Sequence, residues 1–269
     1  MYRVTIIALL AVVLAAGPAP GADGNAAAPA CPTAADPNAL ERTLQDLQDR
    51  AAELKSYQVN MDYVFKQPLL ESQQRRTGVL SYAKLDDKSF LRIDFRTLQQ
   101  DDEKEQTYVQ QYLFDGVWLL EIDHQLKTVT RRQLTETDKP LDAFSLASQH
   151  VPVLGFSKVE DLRRQFDIEL VPAPPAEPAP RPHLHLKVKP DSVYKDDYVT
   201  IDFWIDRQVG LPAEVKAVTP EDDVYEIKLL NPKVNTDLGR KQFQLEIPRS
   251  GFSEQVIPLA RKAEGQPVR

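Results

Sequence analysis

The sequence predicts an α+β fold in which antiparallel β-structure dominates, and three observations carry that prediction. The run 108–134, YVQQYLFDGVWLLEIDHQLKTVTRRQL, is three extended stretches separated by turn residues. Strict alternation of apolar and polar residues recurs elsewhere, most clearly at Val59–Phe65, Leu91–Phe95 and Ile201–Ile205. Helical periodicity is confined to one long stretch and two short ones.

In chain order, Arg3 precedes an apolar run from Val4 to Ala16, followed by small and proline-rich residues from Gly17 to Gly24. That is the order of a secretory signal peptide, assigned to residues 1–22 with cleavage near Gly21 or Ala22, and the run is shorter than the roughly 20 residues of a spanning helix. Residues 23–35 form an Ala/Pro-rich linker containing the sole cysteine, Cys31, so no intrachain disulfide can form. Ala28-Pro29-Ala30-Cys31 lacks the leucine of a lipoprotein cleavage box, and the apolar run lies too far upstream, which argues against a lipid anchor.

The main domain is expected over 36–258. Asp36-Pro37 reads as a helix cap with proline first in the helix. Leu40, Leu44, Leu47, Ala51 and Leu54 then form one apolar stripe, ending near Ser56. Val59, Met61, Tyr63 and Phe65 share one strand face; Gly78, Leu80 and Tyr82 carry a second strand, and Leu91, Ile93 and Phe95 a third. The acidic run Asp101-Asp102-Glu103-Lys104-Glu105 is a solvated hairpin tip. In the central meander, Asp115-Gly116 supplies the positive φ angles of a two-residue hairpin turn, and Asp123-His124-Gln125 makes the next break. Leu141–Ser148 and a helix opened by the capping box Ser157-Lys158-Val159-Glu160 flank the apolar loop Pro152–Phe156, and together they read as a lid. Val171–Pro182 is a polyproline-type insertion. Strands resume at Leu184–Val188, Val199–Ile205, Ala213–Thr219, Val224–Leu230 and Gln242–Ile247, and residues 259–269 are a polar tail.

Chemistry-bearing motifs are missing. There is no nucleophile elbow, phosphate loop, dinucleotide fingerprint or zinc-protease helix. His183 and His185 point to one side of a strand, but no cysteine or third histidine nearby completes a metal site. The net charge of -7 argues against nucleic acid as a partner. No cofactor and no metal are expected. A sheet of about ten strands with few helices must close, fold over or be covered. A curved sheet under a helical lid leaves an apolar hollow suited to a lipid-like ligand, and a dry packed core is the competing outcome.

Several stretches together resemble one family. They are Gly78-x-Leu80-x-Tyr82, Phe90-Leu91-Arg92-Ile93-Asp94-Phe95, Tyr112-Leu113-Phe114-Asp115-Gly116-Val117-Trp118, Ile201–Asp206, Gly210-Leu211-Pro212 and Phe243–Pro248. Their order after a signal sequence and one amphipathic helix is similar to the outer-membrane lipoprotein carrier (LolA-like) superfamily, in its divergent planctomycete-type members. The resemblance implies an incomplete (half) β-barrel with a short-helix lid over an apolar concave face. It also implies a periplasmic, non-enzymatic, monomeric carrier of lipid or lipoprotein acyl chains, with a membrane or envelope protein as a further partner. The alternative is an envelope adaptor that uses the same sheet as a protein-interaction surface. Strand parity selects Met61, Tyr63, Phe65, Leu80, Leu91, Ile93, Phe95, Trp118, Leu120, Ile201, Phe203 and Ile227 as the cavity lining. One departure stands out: where typical carriers end the second long strand on a basic stretch with arginine and then proline, this chain has Lys84 and Leu85.

Overall fold

The computed structural model describes residues 38–86, 88–143, 158–172, 181–248 and 250–259. The residues read from sequence as a signal peptide, as the linker with Cys31, as the Asp36-Pro37 cap and as most of the lid, together with Ser157, residues 173–180 and residues 260–269, lie outside those residues.

One twelve-stranded sheet organises the chain. Its strands are β1 (Ser56–Gln67), β2 (Ser72–Leu85), β3 (Lys88–Gln100), β4 (Gln106–Phe114), β5 (Trp118–Asp123), β6 (Thr128–Gln133), β7 (Phe166–Val171), β8 (His183–Val188), β9 (Thr200–Ile205), β10 (Pro212–Val218), β11 (Val224–Val234) and β12 (Ser253–Ile257). The spatial order is β12-β6-β5-β4-β3-β2-β1-β11-β10-β9-β8-β7. Every pairing is antiparallel except that of β12 with β6, which is parallel. The sheet is open, with β12 and β7 at its edges, so the half-barrel is the architecture observed.

The concave side carries the main core. Alternation places Tyr57, Val59, Met61 and Tyr63 of β1, Leu80 and Tyr82 of β2, Tyr112 and Phe114 of β4, Ile201 and Phe203 of β9 and Ile227 of β11 in one buried cluster. Helix α1 (Ala39–Ala52) lays Leu44, Leu47 and Ala51 into the same cluster. Helix α2 (Val159–Gln165) buries Leu162 there and touches α1 and β7. Each such side chain contributes about 1.5–3 kcal/mol by leaving water.

Local details depart from the sequence reading. Helix α1 is preceded by Asn38 and stops at Ala52, because Ser56 already pairs with Ala83 at the start of β1. Lys158 rather than Ser157 takes the cap position of α2, without a side-chain cap. The Asp-Gly turn is displaced by one residue: Asp115 N–H donates to the Trp118 carbonyl, so Gly116 (φ 95) and Val117 are the central pair. Asp115 Oδ1 accepts from the Val117 and Trp118 amides instead, as a short carboxylate does at a turn. Strand β7 extends to Val171, into the range read as the proline insertion.

The C-terminal part differs most. Gln242–Ile247 is not a strand; a 3-10 turn at Arg240–Phe243 and irregular backbone take its place, and the last strand is β12. Leu238, Phe243 and Leu245 cross the outer face of the sheet and pack on Ala83, Phe90, Leu113 and Leu120, making a second core. Arg92, on that outer face, fixes the crossing. Its Nη1 donates to the Gln242 and Gln244 carbonyls at 2.7 and 3.2 Å, while Asp94 holds its Nε and Nη2 at 2.7 and 2.9 Å.

Candidate functional site

A cavity of about 340 Å³ opens at one end of the concave face. It lies where β1 ends, β2 begins, β3 ends and β4 begins, and it is closed laterally by the β5–β6 hairpin. Phe65, Gln67, Ser72, Gln73, Gln74, Arg76, Leu98, Gln100, Tyr108, Gln110, Glu121, Asp123, Leu126, Thr128 and Thr130 line it. Twelve of these fifteen residues carry a polar side-chain group, although they continue the apolar side of the same strands.

Arg76 sits at its centre and is only 3% exposed. On β2 it shares the side of Gly78, Leu80 and Tyr82, and it faces Tyr63 on β1 and Leu98 on β3. Its guanidinium lies 5.0 Å from the Tyr108 ring centre and 5.6 Å from that of Phe95, a distance at which aromatic faces attract cations. Nε donates to Gln74 Oε1 at 3.3 Å and Nη1 donates to Gln110 Oε1. Burial pulls its pKa down, with Tyr112 and Tyr108 opposing, yet arginine starts so high that it stays a cation.

A hydrogen-bond chain runs through the lining from either side of Arg76. Gln74 Nε2 donates to Gln100 Oε1 at 3.4 Å, and Gln100 Nε2 donates to Ser72 Oγ at 3.1 Å. On the other side, Gln110 Nε2 and the Tyr112 hydroxyl donate to Glu121 Oε1 at 2.9 and 3.2 Å. Burial raises the pKa of the Glu121 carboxyl. Asp123 is also buried, and it accepts from the Tyr108 hydroxyl at 2.9 Å and from the Gln125 and Leu126 amides at 3.0 and 2.8 Å.

An aromatic wall stands behind the cavity. Phe65 stacks on Tyr225 at 4.7 Å, Tyr63 meets Phe95 edge-on at 6.1 Å, and Phe95 meets Tyr112 edge-on at 6.3 Å. Burial pushes the Tyr225 phenol up to about 12 and those of Tyr63 and Tyr112 higher still, so all three stay neutral. From the cavity, the concave-side residues of β3 continue as Phe95, Ile93 and Leu91, the last two half-buried. Leu119 of β5, opposite Phe114, is half-buried on the same side.

The twelve residues selected by parity divide into three groups. Met61, Tyr63, Leu80, Phe95, Ile201, Phe203 and Ile227 are buried in the concave cluster. Phe65, Leu91 and Ile93 are half-buried against it, and of the twelve only Phe65 borders the described cavity. Trp118 and Leu120 are a correction, for they lie on the outer face. Pairing of Phe114 with Leu119 turns Leu119, Glu121 and Asp123 inward, and Leu120 packs under the C-terminal crossing while Arg131 lies 6.0 Å from the Trp118 ring. The polar lining was missed altogether. Its one signal was Arg76 and Gln74 sharing the spacing of Gly78 and Leu80.

His183 and His185 also lie on the outer face, where Nε2 of one and Nδ1 of the other contact Asp202 Oδ1 at 2.7 and 2.8 Å. Among the described residues no group of three or more His, Cys, Asp and Glu is arranged to hold a metal. Nor is any described helix long and apolar enough to cross a membrane.

No protein-family model matches the chain, and neither does any curated protein. Solved structures do. One is an uncharacterized conserved protein from Thermus thermophilus, 10% identical with a TM-score of 0.46, covering 82% of this chain and 99% of that one. Another is a LolA superfamily protein from Nitrosomonas europaea, 14% identical with a TM-score of 0.32, covering 75% of this chain and 97% of that one. The chain is similar to LolA-superfamily structures. It is also similar to the MucA/MucB complex structure from Pseudomonas aeruginosa, at 14% identity and a TM-score of 0.42; the match covers 76% of this chain and 60% of that one.

Proposed function

We propose that this chain is a carrier or binding protein for lipid-like acyl chains, working outside the cytoplasm as a monomer and without a catalytic step. The observation that supports this reading best is the apolar track of buried Phe95 and half-buried Ile93 and Leu91 that leads away from the cavity on the concave face. An amphiphile matches that sequence of surfaces, its head in the cavity and its chain along the track. Each Å² of chain buried contributes about 25 cal/mol, so a modest length of track supplies useful affinity. Leucines rim the cavity end: Leu69 and Leu70 at the β1–β2 tip are 77% and 54% exposed, and Leu126 is 70% exposed. Such an apolar rim suits entry from a lipid surface. The signal-like segment 1–22 supports an extracytoplasmic, periplasmic address.

The test is titration with a dansyl-labelled undecanoate, in the wild type and in Ile93→Asp. A carboxylate facing the chain weakens binding about tenfold or more while the half-buried position lets the fold survive. Loss of the fold in Ile93→Asp would place Ile93 in a dry core instead. Absence of any uptake by the wild type would favour an adaptor that uses the sheet to bind protein.

A further inference from the structure

We propose that the cavity around Arg76 binds the oxyanion of its ligand, a carboxylate or a phosphate, through the guanidinium's unused edge. This rests on the amphiphile reading above and adds the chemical class of the head. Two independent observations carry it.

The first is that Arg76 is buried without a carboxylate partner: no described Asp or Glu lies within ion-pair distance of it. A buried cation is costly unless something compensates it. Here the described partners are neutral: two glutamine oxygens, the nearby Tyr108 hydroxyl and two aromatic faces. The two glutamines take Nε and Nη1 and leave Nη2, and the residue lines the cavity. The planar fork of donors that arginine offers is matched by carboxylate and phosphate oxygens.

The second is that the two lining carboxylates are already engaged. Asp123 accepts three hydrogen bonds and Glu121 two, and burial favours the protonated form of Glu121. Neither touches the guanidinium, so neither occupies the place an incoming anion would take. Gln73, Thr128 and Thr130 line the same cavity and carry polar side chains, while Gln67 Nε2 already donates to Asp223 Oδ2 at 3.4 Å.

Calorimetric titration of the whole protein with decanoate, decyl phosphate, uncharged decanol and inorganic phosphate tests this, in the wild type, Arg76→Gln and Arg76→Lys. The expected result is that wild type binds at least one charged amphiphile about tenfold or more tightly than decanol. Arg76→Gln erases that preference and leaves decanol binding unchanged, while Arg76→Lys keeps part of it. Preference for decanoate identifies a carboxylate head, and preference for decyl phosphate a phosphate. Equal affinity for charged and uncharged amphiphiles in the wild type overturns the proposal, and this arm needs no variant to fold. So does a preference that survives in folded Arg76→Gln. If no decyl compound binds, the acyl-chain reading fails separately. Binding of inorganic phosphate that Arg76→Gln abolishes then upholds the anion site, and its absence overturns that too.

Discussion

Glu121 and Asp123 bring two carboxylates to the inner side of β5, against an arginine and a wall of phenols, and the cost of that placement is measurable. Burial raises the Glu121 pKa, so the folded chain holds this proton more tightly than the unfolded chain does. Its contribution is favourable below the ordinary glutamate value of about 4.3 and is lost as pH rises through the folded value. The group therefore stabilises the fold less at neutral pH than in acid. Glu121→Gln keeps an oxygen for Gln110 and Tyr112, so it should raise the melting temperature at pH 7, with the gain shrinking as the pH is taken below about 4. A melting temperature that falls equally at both pH values would contradict this. Gly78 shows a steric constraint of a different kind. A Cβ there would lie 2.3 Å from the Asp94 carbonyl oxygen and 3.1 Å from the Phe95 Cα, both backbone atoms that cannot move aside. Gly78→Ala should cost about 3 kcal/mol or more in chemical denaturation, because β2 and β3 approach too closely at the irregularity beside Thr77.

Strand β5 explains which elements were legible in the sequence and which were not. The alternating strands β1, β3 and β9 can be read directly, since one side of each is apolar and the other is polar. In β5 the rule inverts: Leu120 and Ile122 face outward, while Glu121 and Asp123 face the cavity. Apolarity selected the wrong side because the outer side is itself covered, by a C-terminal crossing that no local pattern announces. That crossing is a long-range event, and residues 244–248 look like a strand without pairing as one. The polar cavity was hidden for the same reason, since its residues come from six strands and meet only in the folded sheet. The crossing is also a stabilising element. Phe243 is 4% exposed with its ring 5.6 Å from that of Phe90. Phe243→Ala should cost about 3–5 kcal/mol on unfolding and leave amphiphile binding on the opposite face unchanged. Equal loss of binding in a folded variant would show that the two faces are coupled.

At the scale of the whole molecule, an open sheet must cover or use its concave side. Here α1 and α2 cover part of it, and one end stays open as a polar cavity with a leucine rim. The end of β2 is built differently from that of the carriers the sequence resembles. Lys84 is exposed, and Leu85 packs into the outer core under the C-terminal crossing. Neither Lys84 nor Leu85 offers an arginine fork, and Arg240, which reaches the strand end, is tied to Asp86, so the chain should bind acyl chains yet fail to restore lipoprotein sorting in a strain lacking a typical carrier. Restored sorting would contradict that expectation. Binding itself is the central claim, and the most direct measurement is organic extraction and mass spectrometry of the protein, purified without detergent beside Ile93→Asp. The account predicts a stoichiometric acyl-chain amphiphile in the wild-type extract and its loss from a folded Ile93→Asp. A wild-type extract free of amphiphile, or the same amphiphile retained in both proteins, would contradict it.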